Sequence, residues 1–249
     1  MRGIWHSLDT DESAKLYRML RGTSIAVLAS ALVLAAPVLG ADAGLEATLA
    51  KMDQTARTFK DLTANLKRTH HTAVIDENTE DKGTIYIRRP KPNELLMKVD
   101  IKEPDPKQVA VGARTAMLYI PKSNTVDIYD IAKYKKEADQ LLLLGFGTTS
   151  QEMEDSYRIA LGGPETLNGQ KTTRLELTPK ANEMHLEKVE LWISDTTGLP
   201  VQQKLHWPGP NGGDYDLATY SNMQVNTGLP ESAVTLQLPK GVKKEYPQR

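Results

Sequence analysis

Gly83-Thr-Ile-Tyr-Ile-Arg-Arg-Pro90, followed after a short break by Leu95-Leu-Met-Lys-Val-Asp-Ile101, decides the fold class of this chain. Ile85 and Ile87 alternate with Thr84, Tyr86 and Arg88, and Leu95, Met97, Val99 and Ile101 alternate with Leu96, Lys98 and Asp100. A period of two puts every second side chain on one face of an extended strand, so both segments read as strands with a single apolar face. Arg89 has the parity of Ile85 and Ile87, which places a charge on that face; a charge there needs partners such as the carbonyls at a helix end.

The alternation extends in both directions. Toward the N-terminus Leu62, Ala64 and Leu66 alternate with Thr63, Asn65 and Lys67. Toward the C-terminus come Val109 to Val111, a Gly112-Ala113 turn, Thr115 to Ile120, a Pro121-Lys122-Ser123-Asn124 turn, and a strand through Val126 and Ile128. Lys133 to Leu144 reads as a helix whose last turn, Leu141, Leu142, Leu143 and Leu144, stops at Gly145-Phe146-Gly147. Thr149-Ser150-Gln151-Glu152 has capping-box spacing and opens one more short helix. Then follow Tyr157 to Leu161, a hairpin turned by Asn168-Gly169, a strand holding Leu175 and Leu177, one holding Val189 and Leu191, one holding Val201 and Leu205, and Tyr215 to Tyr220.

About ten one-sided strands with few helices must curl to cover their apolar faces and protect their edges. The expected fold is mainly β (α+β): an incomplete, strongly curved antiparallel barrel whose short helices cover an apolar cavity. Its expected lining is Leu66, Ile85, Ile87, Leu95, Met97, Val99, Val109, Val111, Val126 and Ile128 from the first half and Leu175, Leu177, Val189, Leu191, Val201 and Leu205 from the second. Only two Phe occur in the chain, which fits an interior not filled by bulky rings.

Ser24 to Gly40 is an uncharged apolar run preceded by Lys15, Arg18 and Arg21 and followed by Ala41-Asp42-Ala43, the three-part plan of a secretory signal peptide. Cleavage is expected near Ala41 to Ala43, with residues 1–43 as the leader and 44–249 as a single domain. Residues 1–18 are polar and acidic, and Met19 opens a leader of ordinary shape, so Met19 is the expected true start. The chain has no cysteine, which excludes disulfides, thiol chemistry and lipid attachment to the chain itself. An exported chain that is not lipidated is expected free in the periplasm. Leu45, Leu49, Met52, Ala56 and Phe59 then fall on one stripe of a helix from about Gly44 to Thr58.

The formal charge of −1 at pH 7 gives no electrostatic case for nucleic acid. His70-His71 point to opposite faces of a strand and lack an acidic partner at ligand spacing, so they read as a solvated pair and not a metal site. His185 and His206 stand alone in the sequence. Asp105, Asp127, Asp130 and Glu137 are the groupings that 25% charged residues put on any surface. Tyr129, Tyr134, Lys133, Lys135 and Lys136 read as a wet helical face. There is no G-x-S-x-G, H-E-x-x-H or P-loop, so neither catalysis, a cofactor nor a metal is expected.

From Gly83 to Pro90 onward the chain resembles the outer-membrane lipoprotein carrier family, the periplasmic LolA-type proteins. The resemblance runs in order through Gln108-Val109 to Gly112, Leu118-Tyr-Ile-Pro121, Leu141 to Gly145, Leu175-Glu-Leu-Thr-Pro-Lys180, Val189-Glu-Leu-Trp-Ile-Ser-Asp195, Tyr220-Ser-Asn222 and Leu238-Pro-Lys-Gly-Val242. It implies a monomer that holds lipoprotein acyl chains on their way from an inner-membrane ABC transporter to an outer-membrane receptor lipoprotein. It also implies that Arg89 latches a helical lid, to which Leu141 to Leu144 belong. The chain departs from the family at Leu95, Leu96 and Met117, where the family has aromatic residues, and at Val234 or Leu236 in place of a Phe. The same fold also occurs in periplasmic regulators of stress sigma factors and in carriers of other lipids.

Overall fold

The computed structural model describes residues 39–91, 94–134, 144–181 and 185–247. Helix α1 (Leu39–Thr58) leads into strands β1 (Asp61–Thr72), β2 (Glu77–Lys91), β3 (Glu94–Glu103), β4 (Lys107–Val111), β5 (Thr115–Ile120) and β6 (Thr125–Asp130). Helix α2 (Ser150–Ser156) precedes β7 (Tyr157–Leu167), β8 (Gln170–Pro179), β9 (Lys188–Ser194), β10 (Pro200–His206), β11 (Tyr215–Val225) and β12 (Lys243–Glu245). All twelve strands belong to one sheet in the order β12-β6-β5-β4-β3-β2-β1-β11-β10-β9-β8-β7. Every neighbouring pair is antiparallel except β12 and β6, which run parallel.

This is the curved, open, mainly β fold that the alternation implies, with twelve strands where about ten were expected. The strand the sequence does not announce is β12: Lys243-Lys-Glu245 has no apolar face and joins β6 through its backbone. Helix α1 begins at Leu39, before the expected Gly44.

Local signals read from the sequence account for the connections. Asn168 (φ 50°) and Gly169 (φ 79°) turn β7 into β8, both in the left-handed region that a two-residue hairpin of this hand requires. The Gly112 N–H donates to the Thr115 carbonyl, closing the β4–β5 turn at 2.9 Å. At α2 the Thr149 hydroxyl accepts from the Glu152 N–H while the Glu152 carboxylate accepts from the Thr149 N–H, a complete capping box.

Gly83 lets the sheet bend. A Cβ at this position would lie 2.1 Å from the Asp100 carbonyl oxygen and 2.8 Å from the Ile101 Cα, and the β2–β3 register shifts between Lys82 and Gly83. Such close backbone approach at a bulge increases local twist and is open only to glycine. Helix α1 packs on β7 and α2, and this contact defines the inner face of the sheet. Among the described residues no helix is long and apolar enough to cross a membrane.

Candidate functional site

Strand register assigns the inner face residue by residue. Leu62, Ala64 and Leu66 of β1 face Ile87, Ile85 and Gly83 of β2, which face Met97, Val99 and Ile101 of β3. Met97 and Val99 face Val111 and Val109 of β4, and these face Ala116 and Leu118 of β5. On the other side Leu66 faces Tyr220 of β11, Ala218 faces Gln203 of β10, Gln203 faces Leu191 of β9, and Leu191 faces Leu175 of β8. One continuous face therefore holds most of the expected lining.

Val126 and Ile128 are the exceptions. They pair with Tyr119 and Met117, whereas Leu118 and Ala116 pair with Asp127 and Tyr129. Asp127 and Tyr129 are thus the inner-face residues of β6, and Val126, fully buried, and Ile128 lie on the opposite face. Burial pushes the Asp127 carboxyl and the Tyr129 hydroxyl above their ordinary values, with the nearby Glu245 and Asp127 charges acting in the same direction.

The inner face divides into two apolar clusters. Leu175, Leu177, Val189 and Leu191, each 0% exposed, pack with Leu49 and Met52 of α1 and Met153 of α2, and Leu205 is partly buried against them. Leu144 joins this cluster at 1% exposure. Leu141, Leu142 and Leu143, the rest of the expected lid turn, lie outside the described residues. In the second cluster Leu66, Ile85, Ile87, Leu95, Met97 and Val111 are buried under Phe59, Ile131, Phe146 and Leu199. Here Val99, Val109, Ala116, Tyr129, Ala218, Met223 and Val225 are only partly buried, whereas around the first cluster the partly buried residues are Leu45, Ile159, Leu161, Leu205 and Trp207 at its margins, so apolar side chains in the middle of this half of the face, on β3 to β5, are still open to contact. Val201 is buried but belongs to neither cluster.

Phe146, fully buried, meets the Tyr220 ring edge-on at 5.0 Å, and the Tyr220 hydroxyl donates to Gln203 Oε1 at 3.2 Å. Burial raises the Tyr220 hydroxyl far above its ordinary value, so it stays a donor. Gly147 (φ 72°) passes so close to Phe59 that a Cβ would sit 2.7 Å from its ring, which fixes the two Phe-bearing segments against each other.

The open half has unlike ends. At the end where α1 finishes, Arg89 follows Ile87 on β2; it is half-buried, and its backbone N–H donates to the Lys60 carbonyl at 2.7 Å. Its neighbour Arg88 faces Asp61, whose buried carboxylate accepts from the Thr227 N–H and hydroxyl and from the Gly228 N–H and so ties down the chain after β11. At the far end the same face turns polar. Asp81 accepts Arg68 at 3.2 Å and Lys107 at 3.0 Å, and Asp216 lies 3.0 Å from His70 Nδ1. The Nε of Arg68 is buried without a hydrogen-bond acceptor, the Asp216 oxygen being 3.8 Å away.

Several expectations about isolated polar groups are corrected by partners distant in sequence. His70 and His71 are not a solvated pair: His70 meets Asp216, while His71 meets Asn78 at 3.0 Å and stacks on Tyr215. His206 is not alone either. Its Nε2 lies 2.7 Å from Glu190, a buried outer-face carboxylate that also receives Arg174 at 2.6 Å and Lys188 at 3.4 Å. Burial alone would raise the Glu190 carboxyl, but the His206 hydrogen bond, the Lys188 charge and the Arg174 hydrogen bond outweigh it and leave it below the usual carboxylate range. Among the described residues no group of three or more His, Asp or Glu is placed to hold a metal ion.

A single curved sheet with a partly covered apolar face leaves apolar surface that an apolar ligand could cover. The family profile described as "Outer membrane lipoprotein carrier protein LolA" matches residues 57–205, more than half of the chain, and the chain belongs to this family. No curated protein matches it in sequence. Among solved structures, an uncharacterized conserved protein from Thermus thermophilus is similar at 13% identity and TM-score 0.52, covering 82% of this chain and 99% of its own. A putative outer membrane lipoprotein-sorting protein domain from Vibrio parahaemolyticus has 14% identity and TM-score 0.42 over 76% and 95%. The Mycobacterium tuberculosis lipoprotein LppX has 13% identity and TM-score 0.45 over 76% and 98%.

Proposed function

We propose that this protein, as one domain from about residue 44, is a periplasmic carrier that binds the acyl chains of lipoproteins and shuttles them from the inner to the outer membrane. The observation that supports the reading is the half-covered apolar strip of Val99, Val109 and Ala116 in a chain of the lipoprotein carrier family. Each methylene moved from water onto such a strip contributes about 0.8 kcal/mol, so one acyl chain supplies the drive for a carrier complex. Export rests on the leader at residues 1–43. In this reading the cargo arrives from an ABC transporter and leaves to a receptor lipoprotein, with Arg89 holding a lid closed.

A fluorescent acyl probe tests the reading. The protein is expected to take up the probe and release it to competing diacylated protein, and Val109→Phe, which fills the strip, is expected to lower uptake at least tenfold with little change in melting. Uptake that survives Val99→Phe and Val109→Phe together overturns the assignment of the strip. Recovery of the protein with a lipid that is not attached to protein makes it a carrier of another lipid. Arg89→Leu is expected to leave the fold intact and change the rate of release; unchanged transfer between membranes removes Arg89 from the mechanism.

A further inference from the structure

The turn from β1 to β2 is Ala73-Val-Ile-Asp76, an unusual composition for a hairpin tip. Turns favour Gly, Asn, Asp, Ser and Pro, because these residues supply left-handed backbone or local hydrogen bonds. Of the four only Asp76 meets that need, at φ 51°. Val74 and Ile75 are β-branched, suited to strands and of no use to a turn. They stand 69% and 63% exposed, and Tyr246 at 43% is the one other large hydrophobic side chain so exposed among the described residues. Two local rules are broken at adjacent positions, with no gain in the packing of this chain.

The tip is nevertheless firmly held. The Ala73 N–H donates to the Asp214 carboxylate at 2.8 Å, and the Asn211 side-chain amide donates to the Ala73 carbonyl at 3.2 Å. Immediately behind it lies a belt of aromatic and basic groups. His71 stacks on Tyr215 at 4.6 Å, Lys204 lies 4.0 Å over the same ring, and His206 tilts toward it at 6.3 Å.

We propose that the Val74-Ile75 tip is a membrane-contacting point that enters a lipid surface to the depth of the acyl boundary. Aliphatic side chains at the extremity, with amphipathic aromatic and basic groups one step behind, match the layering of a bilayer interface. A protein partner fits less well: two side chains on a projecting turn fall far short of the roughly 1,000 Å² that a specific protein interface buries. The charges around the tip also set its lipid preference. Asp214 is committed to the turn and Asp216 to Arg68 and His70, while Asp76 and Glu77 flank the apolar pair and offset the basic belt. Docking is therefore driven by apolar insertion and not by anionic lipid. Because the inner face of β1 runs from Leu62 through Leu66 to Arg68 and His70, the tip stands at the polar end of the open strip. That this brings cargo near the bilayer rests on the carrier reading; membrane contact itself does not.

The chain has no cysteine, so Ile75→Cys gives a unique attachment point for a polarity-sensitive fluorophore, with exposed Lys122→Cys in the β5–β6 turn as the control. With vesicles of phosphatidylethanolamine and phosphatidylglycerol, the probe at 75 is expected to shift to the blue while the probe at 122 does not, and the shift is expected to persist in high salt. Val74→Asp beside the label is expected to weaken the vesicle response about tenfold or more, with melting unchanged. No shift at 75, an equal shift at both positions, or a shift untouched by Val74→Asp overturns the proposal. Acyl-probe uptake without vesicles is read in parallel: loss of uptake with the tip shift retained removes the carrier reading alone, and the reverse result removes the tip alone.

Discussion

The two halves of the inner face are built from the same kind of strand and finished differently. On β8 and β9, Leu175, Leu177, Val189 and Leu191 alternate as strictly as Ile85, Ile87, Met97 and Val99 do on β2 and β3. The first group is sealed by Leu49, Met52 and Met153 from two helices and has no exposure left. The second packs with Phe59, Ile131 and Phe146, and Val99, Val109 and Ala116 against the same cluster stay only half-buried. Alternation alone makes an apolar face; the helix laid over it decides whether that face is closed core or stays partly exposed.

The sharpest way to break this contrast is to remove volume from each half. Leu191→Ala is expected to cost about 3 kcal/mol, because the sealed cluster cannot collapse around the missing atoms. Val109→Ala in the open half is expected to cost less than about 1.5 kcal/mol, since its side chain already lies partly in water. Denaturant unfolding measures both. Equal losses would mean that the two halves are packed alike and that no binding strip exists.

The edge of the open half is tested at Gly147. An alanine there adds a Cβ within 2.7 Å of the Phe59 ring at a backbone φ of 72° that alanine resists. The expected loss is about 2 kcal/mol, with the acyl probe bound more loosely as the Phe59–Phe146 cover shifts. Asp61→Ala removes the acceptor of three hydrogen bonds from Thr227 and Gly228 and is expected to cost somewhat less, about 1.5 kcal/mol, without affecting uptake. A Gly147→Ala variant that melts normally and binds normally would show that the cover is not needed on either count.

How much of this was legible in sequence depends on the strand. β2 and β3 have one apolar face each, so period two placed their inner residues unaided. β5 is apolar on both faces, with Ala116, Leu118 and Ile120 on one and Met117 and Tyr119 on the other, and it gives no parity to hand on to β6. Val126 and Ile128 accordingly look like inner residues until register assigns that role to Asp127 and Tyr129. The division into two clusters was not legible either, because it depends on where α1 lands. The charged end of the strip joins Arg68, Asp81, Lys107 and Asp216, residues that only strand pairing brings together. The family blocks, read in order, located the fold where no single motif did.

The smallest expected effect sets a carboxylate on the outer face of the sealed half against one on the inner face of the open half in acid. Glu190 of β9 is held below the usual carboxylate range by His206, Lys188 and Arg174 despite its burial. The unfolded chain therefore takes up this proton first as pH falls. The stability Glu190 contributes is complete above the ordinary glutamate range and is lost as pH drops through its folded value. Asp127 of β6 is raised by burial and by Glu245, so the folded protein takes up that proton first, and stability from this group increases as pH falls through its folded value toward the ordinary aspartate range. Glu190→Gln is expected to flatten the acid limb of the stability curve, whereas Asp127→Asn is expected to steepen it slightly and to raise stability a little at neutral pH. Unfolding midpoints across pH for the two variants and the parent protein measure the slopes. Changes of the same sign in both variants would mean that the buried ion-pair cluster and the open strip do not differ in how they treat charge.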